Sequence, residues 1–199
     1  DGYLMLSTKI ENRSEEGRND PYSYGKYLYT TTYTSGQVTT GDKGAWTYGR
    51  FEIRAKLPLG ERSISYANLY SVDGKAFQEI SILKMLGNNP YTIYVANRWG
   101  VDQPRHYLEE DASSRGYCTL DYSADFHIFA VEWAPGTIRW YIDDVEIYRT
   151  KRNVPDVPLS LSLETAVNYP IDNNSKISGR TISEPQYFTV DWFRVYRRK

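Results

Sequence analysis

Short segments in which apolar and polar residues alternate recur along the whole chain, and helical periodicity is nearly absent. A repeat of two residues places successive side chains on opposite faces of a β-strand. The pattern therefore predicts an all-β fold, in which two antiparallel sheets pack as a sandwich of the jelly-roll type. The predicted strands are residues 3–9, 33–40, 49–57, 65–70, 77–84, 92–97, 127–132, 137–142, 145–150, 159–164 and 189–196.

Polar stretches rich in turn-forming residues separate these strands. The predicted loops are residues 11–24, 41–45, 88–90, 102–117 and 169–184. The clearest hairpin joins the strands 138–142 and 145–148 through Asp143 and Asp144, because an Asp pair tolerates the backbone of a two-residue turn. No linker or internal repeat divides the chain, so we expect one domain over residues 1–199.

The overall charge excludes some classes of partner. The chain of 199 residues has a formal net charge of −1 and an isoelectric point near 6.2, whereas proteins that bind nucleic acid or membrane surfaces usually carry a basic excess. No apolar run approaches the roughly 20 residues that span a bilayer, and no signal peptide is recognisable. We expect a monomer that contacts neither nucleic acid nor membrane. Cys118 is the only cysteine, which excludes an internal disulfide, and with two histidines (His106 and His127) a transition-metal site is not expected.

The aromatic content is unusual for a chain of this size, with 19 Tyr and 5 Trp. Tyr and Trp favour strands, and their rings offer a flat apolar face with a polar edge. Such rings suit carbohydrate, whose C–H faces stack on them while its hydroxyls form hydrogen bonds. A sandwich that is simply rich in Tyr explains the same composition.

Residues 77–87 combine a buried strand with polar groups on one side. Glu79 and Ser81 share a face, while Ile80 and Ile82 point the other way. Lys84 joins the Glu79 face only if a β-bulge absorbs one extra residue, most simply Leu83, and bulges are common beside active sites. The segment is thus either a functional site or a solvated face with an ordinary Glu–Lys pair.

Several further segments carry a specific resemblance. They are Tyr-Thr-Ser-Gly-Gln-Val-Thr-Thr (33–40), Trp-Thr-Tyr-Gly-Arg-Phe-Glu-Ile-Arg-Ala-Lys-Leu-Pro (46–58), Glu-Ile (79–80) to Met-Leu-Gly (85–87), Phe-His-Ile-Phe-Ala-Val-Glu-Trp (126–133), Ile-Arg-Trp-Tyr-Ile-Asp (138–143) and Val-Asp-Trp-Phe-Arg-Val-Tyr (190–196). In order and combination they resemble glycoside hydrolase family 16, the laminarinase and lichenase group of β-glucanases. The resemblance implies a jelly roll of the concanavalin A-like lectin and glucanase type, with a sugar-binding concave cleft. It also implies that part of the usual N-terminal segment is missing, and that the scaffold type is usually secreted.

The family's catalytic signature is Glu-x-Asp-x-x-Glu, in which the first Glu is the nucleophile, the Asp tunes it and the second Glu is the general acid/base. In this chain the resemblance places Glu79 at the nucleophile, Ser81 at the Asp and Lys84 at the acid/base. Retaining hydrolysis needs both carboxyl groups. Because a Lys ammonium has an ordinary pKa near 10.4, it is a poor proton donor at neutral pH. We therefore expect native-type glucanase activity to be absent or very weak.

Other departures from the family pattern fall at cleft-facing positions, where members often carry Trp-Pro-Ala-x-Trp, a His before an aromatic-Gly pair, and Leu-Asn before a turn. The predicted cleft residues are Tyr66, Asn68, Asn97, Arg98, Trp99, Ser160, Ser162 and Glu164, around Lys84, Glu79 and Ser81. Because the scaffold segments keep the pattern, the concentration of changes suggests a cleft rewritten by selection or by design. Gln37 also stands where members often have Arg.

Three functions follow as alternatives for a small-molecule or oligosaccharide ligand. The first is new chemistry: a desolvated Lys84 forming a Schiff base for retro-aldol cleavage, or Glu79 or Glu164 acting as a general base with Trp99 stacking on the substrate. The second is a module that binds β-glucan without cutting it. The third is residual hydrolysis with Glu79 as nucleophile. No cofactor is expected, although the resemblance allows a structural calcium, which many members bind through an Asp at the position of Asp191.

Overall fold

A computed structural model describes residues 2–16, 28–60, 62–71, 76–101, 108–116, 120–167 and 184–197. Within these residues the chain forms thirteen β-strands and one short 3₁₀ helix at Gly41–Lys43. The strands are β1 (Leu4–Glu16), β2 (Leu28–Thr34), β3 (Gln37–Thr39), β4 (Gly49–Lys56), β5 (Ser63–Ser71), β6 (Ala76–Leu86), β7 (Thr92–Val101), β8 (Leu108–Gly116), β9 (His127–Ala134), β10 (Thr137–Ile142), β11 (Val145–Thr150), β12 (Leu159–Val167) and β13 (Gln186–Tyr196).

The strands make two antiparallel sheets. One has seven strands in the order β11-β10-β9-β4-β13-β1-β2, and the other has six in the order β3-β12-β5-β6-β7-β8. Six of the eleven neighbouring pairs are consecutive strands, and the other five (β9-β4, β4-β13, β13-β1, β3-β12 and β12-β5) join strands that are distant in sequence, as jelly-roll connections require. The predicted all-β sandwich is therefore confirmed.

The core lies between the sheets and is built from the apolar half of each alternating strand. Its largest fully buried side chains include Phe51, Phe129, Trp133 and Trp140. The indole of Trp140, on β10, donates a hydrogen bond of 2.9 Å to the main-chain oxygen of Ser81 on β6. This bond joins the two sheets directly behind the strand that carries the predicted site.

The structure departs from the predicted boundaries most in three places. Strand β1 continues to Glu16, the predicted strand 33–40 is divided between β2 and β3, and β8 occupies most of the predicted loop 102–117. Strand β8 pairs with β7 along its whole length, yet its sequence lacks apolar alternation. An edge strand is held by main-chain hydrogen bonds to one neighbour, so the hydrophobic pattern does not reveal it. Residues 168–183, His106 and Cys118 lie outside the described residues.

The predicted hairpin is confirmed. Ile142 pairs with Val145, and Asp143 and Asp144 have positive φ angles of 47° and 64°, as a type I′ turn requires. The Asp143 carboxylate also accepts hydrogen bonds from the Ile128 N–H, at 2.8 Å, and from His127 Nδ1, at 2.7 Å. His127 therefore has a structural partner at this turn.

Replacing Gly87 by Ala is expected to lower the free energy of unfolding by about 3 kcal/mol. A Cβ at this position would overlap Ser63 Oγ and the main-chain oxygen of Gly60, both of which belong to the turn that leads into β5. Chemical denaturation measures the change. Gly36→Ala is the control, because its nearest neighbour lies at 3.6 Å, an ordinary contact distance. Equal stability of the two variants would contradict the close approach at Gly87.

Candidate functional site

Strand β6 contains the predicted bulge. Ser81 pairs with Ala96 and Lys84 with Tyr94, so three steps along β6 match two steps along β7. On the other side, Ala67 pairs with Leu83 while its neighbour pairs with Ser81, which leaves Ile82 as the extra residue. Ile82 and Leu83 are both buried, so the bulge turns Lys84 to the same face as Glu79. The sequence prediction is confirmed, with the extra residue at Ile82 rather than Leu83 on the β5 side.

The face of the six-stranded sheet that points away from the core is rich in polar groups, and we call it the polar face. Cross-strand pairing aligns its residues in rows, for example Glu164 on β12, Tyr66 on β5 and Lys84 on β6. Its members are Gln37, Thr39, Tyr66, Asn68, Tyr70, Glu79, Ser81, Lys84, Tyr94, Arg98, Ser160, Ser162 and Glu164. Most of the predicted site residues are therefore brought together.

Glu79 is held by two neighbours on the polar face. Arg98, its cross-strand partner on β7, forms an ion pair with Glu79 Oε1. The amide Nδ2 of Asn68 donates a long hydrogen bond of 3.4 Å to Oε2. The Glu79 and Arg98 side chains are only 14% and 23% exposed, so water screens the pair weakly. The negative charge of Glu79 is thus committed to a guanidinium.

Ser81 and Asn68 connect to the same group. The Ser81 hydroxyl donates a 2.9 Å hydrogen bond to Asn68 Oδ1, which orients the Asn68 amide so that Nδ2 faces Glu79. Ser81 is 1% exposed and directly opposite Asn68 in the sheet. Ser81 therefore acts on Glu79 through Asn68, as a neutral positioning group without a charge of its own.

Lys84 is half-buried and lies between two aromatic rings. Its Nζ is 5.8 Å from the centroid of the Tyr66 ring and 6.0 Å from that of Tyr94. Among the residues that the structure describes, no carboxylate forms an ion pair with it. The alternative of an ordinary Glu79–Lys84 pair is therefore not observed, because Arg98 binds the Glu79 carboxylate and Lys84 lies between the ring faces.

Glu164 is the second carboxylate of the polar face. Partial burial raises its pKa above the ordinary value, and the negative charge of Glu79 adds to that rise. Its Oε2 accepts a 3.3 Å hydrogen bond from Gln37, whose amide also donates to Ser162 Oγ at 3.1 Å. The pKa of Tyr66 is raised by burial and then by Glu164, with a smaller contribution from Glu79. Glu164 is thus the acidic group most inclined to hold a proton here.

Glu164→Gln is expected to raise the free energy of unfolding at neutral pH. Because the folded-state pKa of Glu164 is raised, its contribution to stability is fully present below the ordinary value of 4.5 and is lost as the pH rises through the folded-state pKa. The gain from Gln should therefore shrink as the pH falls toward 4.5. Thermal unfolding across this range measures it, with the exposed Glu184→Gln as control. A gain that grows in acid would contradict the raised pKa.

Asn97 and Trp99 do not lie in the cleft. They alternate with Arg98 and therefore point to the other side of β7. Asn97 is fully buried, and its amide donates hydrogen bonds to the main-chain oxygens of Arg152, at 2.8 Å, and Asn153, at 3.2 Å. Trp99 contacts the Arg152 guanidinium at 5.5 Å from its ring centroid. The family pattern predicted that Asn97, Arg98 and Trp99 all lie in the cleft, whereas strand alternation places only Arg98 on that face.

Ser160 lies on the polar face but is not open to a ligand. It is fully buried, and its hydroxyl donates hydrogen bonds to the main-chain oxygens of Gly41, at 2.6 Å, and Gly44, at 3.1 Å. Its role is to hold the 3₁₀ turn against β12. Ser162 is 6% exposed and contributes mainly through its hydrogen bond with Gln37.

The sequence interpretation missed Tyr70, Tyr94 and Thr39. Tyr94 flanks Lys84, and the Tyr70 hydroxyl lies 2.6 Å from Thr39 Oγ1. The missing signal was the cross-strand register, which places Tyr70 opposite Glu79. Beside these residues a cavity of about 260 Å³ is lined by Ile64, Tyr66, Asn68, Glu164, Ala166 and Val167.

Asp191 stands where many family members bind a structural calcium, and here its carboxylate is paired with a side chain. Its Oδ2 accepts a hydrogen bond of 2.6 Å from Arg54, so a guanidinium already occupies the cationic position beside the carboxylate. Within the described ranges, no three side chains of His, Cys, Asp or Glu are grouped so that they could hold a metal ion.

In the same part of the chain, no helix has the length and apolar character needed to cross a membrane.

Comparison with known proteins identifies the family. The model of "Glycosyl hydrolases family 16" matches residues 8–192. The chain belongs to this family. The resemblance inferred from the sequence motifs is therefore confirmed, together with the sandwich fold typical of family 16.

Among the relatives of this chain, a β-glucanase of Rhodothermus marinus is 31% identical over 92% of the chain. A β-1,3-glucan-binding protein of Penaeus monodon is 28% identical over 56% of the chain. The chain spans 66% and 34% of the lengths of these two relatives. The laminarinase catalytic domain of Thermotoga maritima, solved with cetyltrimethylammonium bromide, superposes with a TM-score of 0.74 at 28% identity, covering 100% of this chain and 79% of the other.

Proposed function

We propose that this family 16 chain binds carbohydrate on its polar face and does not hydrolyse glucan at an ordinary rate. The observation that carries the proposal is the environment of Lys84. At the position that resembles the family's acid/base stands a lysine between two tyrosine rings, with its Nζ 5.8 Å from one ring centroid and 6.0 Å from the other. A charged ammonium provides three hydrogen-bond donors and no accessible base. It suits the hydroxyl oxygens of a sugar better than proton transfer to a leaving group.

The state of Glu79 supports the same proposal. In a retaining mechanism the nucleophile attacks the anomeric carbon while a second carboxyl group protonates the departing oxygen. Glu79 shares its charge with Arg98, which weakens it as a nucleophile. The carboxyl group with a raised pKa is Glu164, two strands away from β6. Nucleophilic attack by Glu79 and protonation of the leaving oxygen are therefore both less favourable than in the family's retaining mechanism.

The rings of Tyr66 and Tyr94 and the amides of Asn68 and Gln37 supply what a bound sugar needs. Aromatic faces stack on C–H surfaces, and amides pair with hydroxyls through both donors and acceptors. The relative from Penaeus monodon is named as a protein that binds β-1,3-glucan. We extend that ligand class to this chain.

Calorimetric titration with laminari-oligosaccharides tests the binding. We expect saturable binding, which Tyr66→Ala weakens about tenfold, since stacking and hydrogen bonding are each worth about 1 kcal/mol. Tyr187→Ala is the matched control, because Tyr187 is an exposed tyrosine on β13 of the other sheet. Absence of binding at millimolar ligand, or equal loss in both variants, would overturn the proposal.

A second candidate is slow hydrolysis with Glu79 as nucleophile and Glu164 as proton donor, favoured by the raised pKa of Glu164. An activated nitrophenyl glycoside needs no protonation of its leaving group. If Glu164 is the donor, Glu164→Gln should slow the cleavage of laminarin and leave that of the nitrophenyl glycoside unchanged. Equal effects on both substrates would exclude this role.

Schiff-base chemistry at Lys84 remains a hypothesis, and it needs the neutral amine. No described carboxylate contacts Lys84 to take part in the proton transfers of such a reaction, so we rank it below binding. Borohydride reduction in the presence of dihydroxyacetone traps such an adduct. A mass increase on Lys84, absent in Lys84→Met, would support this chemistry, and an unchanged mass would exclude it for this carbonyl compound.

A further inference from the structure

The seven-stranded sheet carries a cavity of its own, on the side of the molecule away from the polar face. Its volume is about 570 Å³, within the usual range for small-molecule sites. It lies where β4 begins, β9 turns into β10 and β13 ends. Its lining includes Tyr48, Arg50, Glu132, Arg139, Tyr196 and Arg197.

A row of side chains crosses this cavity. In the sheet register Arg139 pairs with Glu132, Glu132 with Arg50, and Arg50 with Tyr196. Each alternates with buried residues such as Phe51, so all four point away from the core. Cations of β10 and β4 thus flank one carboxylate.

Among the described side chains, the carboxylate is in no direct ion pair with these cations and acts on them only through electrostatic attraction. Glu132 accepts a 3.0 Å hydrogen bond from the Tyr141 hydroxyl, and in the described part of the chain it forms no ion pair with either arginine. Arg50 pairs instead with Glu52, at 2.7 Å, and with the exposed Asp144, at 3.1 Å. Its positive charge is therefore already matched outside the cavity.

Arg139 and Arg197 line the cavity, and neither forms an ion pair with a described carboxylate. Glu146 and Glu132 attract Arg139 less than its hydrogen bond with Tyr141 does. Arg139 Nε is buried without a hydrogen-bond partner. Burying an unsatisfied donor of a charged group is costly unless a ligand supplies the acceptor. Hydrogen bonding to Tyr141 raises the pKa of Arg139, so its guanidinium stays charged at any working pH.

The opposite wall is aromatic and includes a strained residue. Tyr48 has a φ of 68°, a left-handed backbone that a residue with a bulky side chain rarely adopts. Its ring packs edge-on against Trp133 at 5.1 Å, and Tyr196 stands 45% exposed beside it. Strain of this kind clusters at ligand sites. The cavity therefore joins a cationic side to aromatic rings.

We propose that this cavity is a second binding site, which takes a sugar carrying an anionic oxygen group, either a sulfate ester or a carboxylate. The oxyanion pairs with the Arg139 guanidinium, whose planar fork matches such groups, and with Arg197. The sugar ring packs against Tyr48 and Tyr196. The site belongs to the other sheet and is independent of carbohydrate binding at the polar face.

Titration with glucose 6-sulfate, glucuronate and glucose, followed by NMR chemical shifts, tests the proposal. We expect both charged sugars to bind at least about tenfold more tightly than glucose, because hydrogen bonds to charged groups are worth a factor of ten or more. The signals that move should include the indole N–H of Trp133. If only one charged sugar binds, that one identifies the anionic group. Equal binding of glucose, or no saturable binding at millimolar sugar, would overturn the proposal.

Variants locate the binding. Arg139→Gln is expected to lower the affinity for the charged sugar about tenfold or more. Arg139→Lys should lower that affinity less, because Lys keeps the positive charge but loses the planar guanidinium. Arg197→Gln, at an exposed position that tolerates change, should weaken it several-fold. Arg149→Gln is the matched control, since Arg149 lies on β11 beside Arg139, pairs with Glu146 and does not line the cavity. Unchanged affinity in both Arg139→Gln and Arg197→Gln would refute the site.

Discussion

Replacing Ser81 by Asp and Lys84 by Glu together is expected to raise laminarin hydrolysis by about 10² to 10⁴-fold, the usual worth of a general acid/base. The bulge already directs position 84 to the same face as Glu79, so a carboxyl group there would stand on the polar face without any change of backbone. The carboxylate introduced by Ser81→Asp would restore a charged neighbour to Glu79. Release of reducing ends from laminarin measures the gain.

Two controls separate proton donation from a simple change of charge. Ser81→Asp with Lys84→Gln removes the ammonium but provides no acid, and it should gain nothing. Adding Glu79→Gln to the restored pair should abolish the new activity, since Glu79 is the expected nucleophile. Activity that survives Glu79→Gln, or that appears equally in the control with Lys84→Gln, would contradict the assignment of these positions.

Arg98→Met is expected to lower the free energy of unfolding by about 2 kcal/mol at neutral pH. It would leave the Glu79 carboxylate 14% exposed and without its guanidinium. The value stays below that of a fully buried pair because the Arg98 side chain is itself 23% exposed. Urea denaturation of the purified variant measures the loss.

A double-mutant cycle isolates the pair from the other contacts of Arg98. Glu79→Gln with Arg98→Met should cost less than the sum of the two single changes, with a coupling energy of about 1 to 2 kcal/mol. Asn68 remains in all four proteins, so its hydrogen bond is common to the cycle. Strict additivity would mean that Glu79 and Arg98 do not interact, and that Arg98 does not hold the Glu79 carboxylate in the folded protein.

The fold was predictable from the sequence because alternation and family motifs act together in the buried strands. Residues 137–150 show this best, since apolar periodicity and an Asp pair define both strands and the turn between them. Strand β8 was not predictable by the same means. Its pairing with β7 rests on main-chain hydrogen bonds, which leave no hydrophobic pattern.

The sequence predicted which face of the sheet most site residues occupy, but it did not predict which side chains pair with one another. The bulge was predicted because only an extra residue turns Lys84 to the Glu79 face, and the structure contains it. Glu79 forms its ion pair with Arg98, because the two residues are direct cross-strand neighbours on one face. Lys84 is five residues from Glu79 on the same strand and therefore lies farther away. The prediction that Asn97 faces the cleft is wrong because it assigned the consecutive residues Asn97, Arg98 and Trp99 to one face. A strand places only alternate residues on the same face.

Chromatography of laminarihexaose after incubation with the unmodified protein tests whether the polar face holds a sugar chain without protonating its leaving oxygen. The incubation uses a concentration at which calorimetry has shown binding. We expect the hexasaccharide to be recovered intact. Shorter oligosaccharides formed at an ordinary catalytic rate would refute binding without hydrolysis.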